Sequence, residues 1–328
     1  MRRRTLLAGL ALPPLLRPAL VRAQATAPAG WPEKPVRILV GFPPGGLTDV
    51  LARVLANALP ARFGQPFLVE NRTGASGIIA AELVAKSPPD GHTLLLAHPT
   101  AIAIAPALAQ RLPFDAARAF APVTLLARQP HVLLVKGDSP WNSLAELVAE
   151  AKRRPGVITF ASSGVGSVQH VQGEQFCMAT GIEAVHVPYR GSAPTMTDIA
   201  AGQVHWAIDG VGVSAPLIEA GSLKALGTAA PRRIARWPSL PSFAEQGVEG
   251  VVPGSWFGLM GPAGMAPGLV AALAEAAVAA MAGPEAQRAL TSASAEAAVE
   301  GPEAFASFVA NETAQFRALA QRTRISLD

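Results

Sequence analysis

The sequence is poor in the residues that most often carry covalent, redox or metal chemistry. It has one cysteine, one tyrosine and six histidines in 328 residues, with aromatics at 5% and charged side chains at 15%. A lone cysteine, Cys177, forms no internal disulfide, so an oxidising compartment adds no staple to this fold. Cys177 reads as a small buried hydrophobe on a helix, with a catalytic thiol as the alternative. The histidines are scattered, without a His-Glu-x-x-His run or a Cys/His pairing that suits zinc. His170 and Glu174 stand four apart on an expected helix, but no third ligand is in view. No metal and no cofactor are expected. The chain has no Gly-x-Ser-x-Gly elbow, no Walker loop and no dinucleotide fingerprint, so hydrolase and nucleotide-binding readings find no support. Long apolar runs are missing beyond the first residues. Leu269 to Met281 is too short to span a bilayer and carries Glu275. With few aromatics, the core has to be filled by Ala, Leu, Val and Ile.

What is present begins with an export signal. Arg2, Arg3 and Arg4 precede an apolar run, Leu6 to Leu16, and Ala23-Gln24-Ala25 offers a small-residue cleavage site. This order predicts a secretory leader over residues 1–25, cleaved near Ala25, and hence a periplasmic protein. Arg3-Arg4-Thr5-Leu6-Leu7 also suits a twin-arginine route. The whole chain has 27 basic and 23 acidic side chains. The leader holds five of the arginines and no acid, which leaves 22 basic against 23 acidic groups. The mature chain is near neutral, and its composition predicts no nucleic-acid partner.

Beyond the leader, apolar β-branched runs alternate with amphipathic segments, the pattern of parallel sheets covered by helices. Strands are expected at Val36–Val40, Phe67–Val69, Thr93–Ala97, Val132–Val135, Val157–Ala161, Ala184–Val187, Val204–Ile208, Leu223–Gly227 and Trp256–Met260. Helices are expected at Thr48–Ala61, Ser76–Lys86, Ser143–Arg154, Ser167–Thr180 and Ala193–Ala201. Three more are expected in the tail, at Pro267–Met281, Pro284–Ser292 and Pro302–Arg322. The fold class is therefore α/β, with length enough for two lobes.

Four strand-to-helix junctions are rich in Gly, Ser and Thr: Phe42 to Asp49, Asn71 to Gly77, Ser162 to Ser167, and Tyr189 to Pro194. In an open α/β sheet, ligands bind beyond the carboxyl ends of the strands, where such loops lie. Helix starts offer unpaired N–H groups and a positive dipole end, glycine admits close approach, and hydroxyls add donors. Each loop alone could equally be a structural turn or cap; four at equivalent places favour an anion site. Asp49 could accept from a ligand amine or cap its helix with Thr48. His170 could touch ligand or take a capping or core role. Tyr189 is the only tyrosine, and Arg190 and Arg72 could grip a carboxylate or remain solvated. Asp209 ends a strand, facing the cleft or capping a turn.

These loops resemble those of the Bug family, the extracytoplasmic receptors of tripartite tricarboxylate transporters. The matching stretches include Trp31-Pro32-Glu33-Lys34-Pro35-Val36-Arg37, Phe42 to Asp49, Val69-Glu70-Asn71-Arg72 and Pro89-Asp90-Gly91-His92-Thr93. In the second half they include Ala161 to Ser167 with His170, Val187 to Pro194, Gly202-Gln203-Val204 and Pro262-Ala263-Gly264. The resemblance implies a type II periplasmic-binding-protein fold with a two-crossover hinge. One lobe would combine residues 31–128 with 254–328, and the other would span 129–253. It implies a monomeric, non-catalytic receptor that captures a small organic acid and meets the membrane components of such a transporter. By position, the ligand-binding candidates are Gly45, Gly46, Thr48, Asp49, Ala75, Ser76, Thr100, Ser163, Gly166, Ser167, His170, Tyr189, Arg190 and Asp209. The chain departs from the family at Ser76, where glycine is usual, at His92, where an aromatic is usual, and at Ala105, where Asn often precedes Pro106. Two other readings stay open: a secreted enzyme on this fold using His170 and Asp209, and a ligand-sensing subunit of a membrane kinase.

Overall fold

The computed structural model describes residues 28–108 and 111–321. The expected leader lies outside the described residues. Strand β1 (Val36–Val40) leads into helix α1 (Leu47–Ala58), whose Leu51, Ala52, Val54 and Leu55 form the buried stripe that the 3.6-residue period demands. Pro60 opens a separate short helix, α2 (Pro60–Phe63), so the expected single helix to Ala61 is broken at Leu59. Strand β2 (Phe67–Asn71), a 3₁₀ turn at Ala75–Gly77 and helix α3 (Ile78–Ala85) follow, then β3 (Thr93–Ala97). A wide helical turn, Thr100–Ile104, continues into α4 (Ala105–Leu108). All five residues of β3 are buried, as a central strand covered on both faces requires.

Strand β4 is the structural surprise. It runs from Phe120 to Lys136, far beyond the expected Val132–Val135. Pro122 and Pro130 break the strand pattern, and the register shifts beside Pro122 and again after Leu125. After it come α5 (Leu144–Arg153), β5 (Thr159–Ser162), α6 (Val168–Thr180), β6 (Val185–Pro188), α7 (Ser192–Ala201) and β7 (Trp206–Gly210). Helix α8 (Val211–Glu219) and β8 (Leu223–Thr228) complete the second half; β9 (Gly254–Pro262), α9 (Pro267–Ala282), α10 (Pro284–Ala293), β10 (Glu296–Glu300) and α11 (Pro302–Ala320) form the tail.

The first sheet has the order β2-β1-β3-β9-β4, with β10 also on β4. Strands β1, β2 and β3 are parallel, and β9 is antiparallel to β3 and β4. From His131 onward β4 changes partners, pairing with β7 and β8, while β7, β5 and β6 run parallel. The chain thus leaves the first lobe along β4 and returns along β9, where Gly254 pairs with Pro130. At that crossing a side chain on Gly254 would stand 2.0 Å from the Gln129 carbonyl oxygen, so only glycine lets the two strands pass.

Each sheet is covered on both faces. In the first lobe, Val36, Ile38 and Val40 pack with α1, α9 and α10, while Leu39 and Leu95 pack with α3, α4 and α11. In the second, Phe160, Trp206 and Ile208 face α5 and α6, while Val132, Ala161 and Ala207 face α7 and α8. Val168 and Val171, both fully buried on α6, pack into the second of the first-lobe clusters. Cys177 sits in the α5–α6 core, and its burial pushes the thiol up to about 12, as a structural role requires.

Candidate binding cleft

The carboxyl ends of β1, β2 and β3 carry the first set of loops. Helix α1 begins after Gly46 with no side-chain cap, and its first backbone bond is Val50 N–H to the Gly46 carbonyl. The amides of Leu47, Thr48 and Asp49 therefore have no carbonyl within the helix. Asp49 is buried and committed to its own loop. Its Oδ2 accepts from Gly45 N–H (3.1 Å) and Arg53 Nε (2.9 Å), and its Oδ1 from Asn71 Nδ2 (2.9 Å) and Arg53 Nη2 (3.1 Å). Burial alone would raise the carboxyl, but the bonds from Arg53, Asn71 and Gly45 outweigh it and hold Asp49 below the usual carboxylate range. The charge that would oppose a ligand carboxylate is thus neutralised from behind. Asn71 also donates to the Phe42 carbonyl (3.0 Å), tying the two first-lobe loops together.

The second of these loops is strained. Ala75 and Ser76 have φ of 45° and 53°, between Gly74 and Gly77, which are also left-handed. Such conformations cost about 1–3 kcal/mol each for residues with a side chain and gather at functional sites. The turn closes with Gly77 N–H on the Gly74 carbonyl (3.0 Å), which leaves the Ala75 and Ser76 amides with no backbone acceptor among the described residues. Gly77 approaches so closely that a side chain at Gly41 would meet its Cα at 2.5 Å.

At the end of β3, His98 lies edge-on to Phe42 (4.8 Å between centroids) and tilted against Phe257 (5.6 Å). Its Nδ1 is 3.4 Å from the Thr100 backbone N–H and 3.2 Å from the Thr100 hydroxyl. A backbone donor on Nδ1 places the neutral ring's proton on Nε2. Burial, with the neighbouring His131, pushes His98 down to about 3, so the ring stays neutral. Thr100 itself is buried.

The second lobe presents a closely bonded set. Ser163 Oγ donates to Gln169 Oε1 (2.9 Å), and Gln169 Nε2 donates to Asp209 Oδ1 (2.9 Å). Gly210 N–H donates to the same Asp209 oxygen (2.7 Å). Ser167 caps α6, accepting from His170 N–H, while Gly166 N–H donates to His170 Nδ1 (3.1 Å). His170 Nε2 then faces Glu174 at 3.7 Å. The His170 ring stacks on His186 at 3.8 Å and 8°, in line with Phe160 and Trp206. Burial and His170 hold His186 down to about 4. His131, at the crossing, bonds Gln172 Oε1 through Nδ1 (2.7 Å) and Ser255 Oγ at Nε2 (3.1 Å), joining α6 to β9. Gln172 also donates to the Val252 carbonyl, which fixes its oxygen toward the ring and the ring's proton on Nδ1. Burial lowers His131, with Asp209 acting in the opposite sense.

The two sets meet. Ser76 Oγ lies 3.5 Å from the Val165 carbonyl oxygen, and a side chain on Gly164 would meet the same hydroxyl at 3.5 Å. Ser76 is therefore where the first-lobe loops touch the Ser162–Ser167 loop; Gly45, Gly46, Thr48, Ala75 and Thr100 stand on first-lobe loops, and Ser163, Gly166, Ser167, His170 and Asp209 on loops and strand ends of the second lobe. The Tyr189 hydroxyl donates to Asp198 Oδ2 (2.7 Å) on α7, and burial with that carboxylate pushes the phenol up to about 12, while the Tyr189 carbonyl lies where a side chain on Gly164 would meet it at 3.5 Å. Arg190 is exposed and makes no ion pair among the described residues, while Arg72 pairs with Glu70. His98, His131, Gln169 and Gln172 were not singled out by the sequence. The only signal for Gln169 was its place in the first turn of α6, and for His98 its place at the end of β3.

Grooves of about 510 and 610 Å³ lie elsewhere, one beside Leu223 and Trp237, the other between α1 and α9. Among the described residues no three metal-ligating side chains converge.

The description of the tripartite tricarboxylate transporter family receptor, TctC, matches residues 51–325. The protein BugT of Bordetella pertussis (strain Tohama I) is 37% identical over 244 residues, 74% of this chain and 75% of BugT. An R. palustris protein solved with adipate superposes with a TM-score of 0.84 at 36% identity, covering 90% of this chain and 99% of that one. MatC from Rhodopseudomonas palustris, solved with bound malate, gives 0.81 at 30% identity, covering 88% and 100%. With that match over most of its length and these relatives, the chain belongs to the tripartite tricarboxylate transporter receptor family of periplasmic solute-binding proteins.

Proposed function

We propose that the mature chain is a monomeric periplasmic receptor that closes on a small carboxylate solute and presents it to the membrane components of a tripartite tricarboxylate-type transporter. The observation that carries this reading is the uncapped start of α1 beside the left-handed Gly74–Gly77 turn, set against the Ser163–Ser167 loop across a single hydroxyl contact. These are donors without a dedicated cation, which is what a carboxylate needs in a water-poor cleft. Relatives have been solved with adipate and with malate, both small dicarboxylic acids. The lobes are taken to divide at 128/129 and 253/254, supported by the change of partners along β4 between Pro130 and His131. Export is taken to remove the leader near Ala25. Binding without turnover is favoured because His170 has one ring nitrogen filled by a backbone N–H and its ring stacked on His186.

Thermal denaturation of the mature chain against di- and tricarboxylates, acidic amino acids and aromatic acids tests this. A ligand at a hundred times its Kd adds about 2.7 kcal/mol, so one class of acid should raise the midpoint by several degrees. No shift and no calorimetric heat across the panel would remove the reading.

A further inference from the structure

Asp209 is 2% exposed, yet only one of its carboxylate oxygens is satisfied. Oδ1 accepts from both Gly210 N–H and Gln169 Nε2, whereas Oδ2 is buried and has no partner among the described residues. A buried carboxylate oxygen without a donor is costly and rare, and in native proteins it marks a missing partner. The nearby imidazole cannot supply one, because both ring nitrogens of His131 are committed, to Gln172 and to Ser255. No Lys or Arg among the described residues pairs with Asp209. The carboxylate ends β7 at the same edge as the Ser162 end of β5, and it stands two hydrogen bonds from Ser163, through Gln169. An acidic side chain in that place repels a bare diacid and rewards a solute that brings its own donor.

We propose that Asp209 Oδ2 accepts from a hydrogen-bond donor on the solute, so that the receptor prefers an acid with an ammonium or hydroxyl group beside its carboxylate over the unsubstituted acid. This rests on the cleft reading above and narrows its ligand class. Amides of the first lobe hold the solute carboxylate, and Asp209 reads the substituent.

Two matched series separate these roles by titration calorimetry on the mature chain. One is succinate, L-malate and L-aspartate; the other is adipate, 2-hydroxyadipate and 2-aminoadipate. In the series that binds, the substituted acids are expected to bind at least tenfold more tightly than the unsubstituted one. Asp209→Asn sharpens the test without changing volume. Gly210 N–H and Gln169 Nε2 hold the amide oxygen in the Oδ1 place, which puts the NH₂ in the Oδ2 place and turns an acceptor into a donor. The variant should lose the preference, and its affinity for the unsubstituted acid should rise as the repulsion is removed. Equal affinities across each series, or an Asp209→Asn loss that is the same for every member, would overturn the proposal and leave a buried water as the partner of Oδ2. The wild-type comparison holds whether or not the variant folds. No binding by any acid of either series or of the wider panel would remove the cleft reading along with it.

Discussion

The two lobes meet the cleft with loops of the same composition and opposite chemistry. In the first lobe, α1 has no side-chain cap, and the turn before α3 is left-handed at Ala75 and Ser76. In the second, Ser167 caps α6, Ser163, Gln169 and Asp209 are bonded in a chain, and His170 is bonded to Gly166 and Ser167. One side spends conformational energy to keep amides free; the other spends its side chains on itself and leaves one carboxylate oxygen unmatched. A Gly-Ser-Thr loop is therefore two different devices according to whether its hydroxyl or its backbone is left open.

The largest test of that contrast is Asp49→Ala. Asp49 holds Gly45, Arg53 and Asn71 at once, so its loss unbinds the whole first-lobe loop. Hydrogen bonds to charged groups contribute about 1.5–3 kcal/mol, and the partners left behind are partly buried. Chemical denaturation should show a loss of about 2–3 kcal/mol, and solute affinity should fall with it. An unchanged midpoint would mean that the α1 start keeps its shape without Asp49.

Removing a hydroxyl should act with opposite sign in the two lobes. Ser167→Ala deletes the α6 cap and is expected to cost about 1 kcal/mol. Ser76→Gly relieves a left-handed serine and is expected to stabilise by about 0.5–1 kcal/mol, since its hydroxyl has only the long contact to Val165. If both variants destabilise equally, the strain assigned to Ser76 is not there and the contrast fails.

How far this was legible in the sequence follows the same division. The alternation of strands and helices, and the four loops, could be read because period and glycine content are local properties. Strand β4 could not, because Pro122 and Pro130 interrupt its pattern while its register shifts absorb them. Strand β10, Glu-Ala-Ala-Val-Glu, has no apolar run and is largely exposed, so only its pairing with Arg128 and Ala127 reveals it. In the site, the residue types were visible but their partners were not. Asp49 turns to Asn71, and Tyr189 to Asp198, through contacts that only the folded chain brings within reach, whereas Arg53 is Asp49's neighbour one helical turn on.

A last test separates the cleft from the tail by pH. His98 and His186 are held neutral, with pKa values of about 3 and 4 against 6.5 unfolded. The unfolded chain takes up those protons first, so their contribution is complete above about 6.5 and is lost as the pH falls toward 4 and 3. Glu312, which accepts from Trp256 Nε1, runs the other way. Burial raises it from 4.5 to about 7, against the bond from Trp256 and the charge of Arg128. Its contribution is complete below 4.5 and is lost as the pH rises to about 7, because the unfolded acid ionises while the folded one resists. Glu312→Gln stays neutral throughout and keeps an acceptor for the indole. Its urea midpoint relative to wild type should therefore rise between pH 4.5 and 7.5 and level off above that, with no gain at or below 4.5. A difference that is constant with pH would place the Glu312 carboxyl in water, leaving the histidines to set the whole slope from the cleft side.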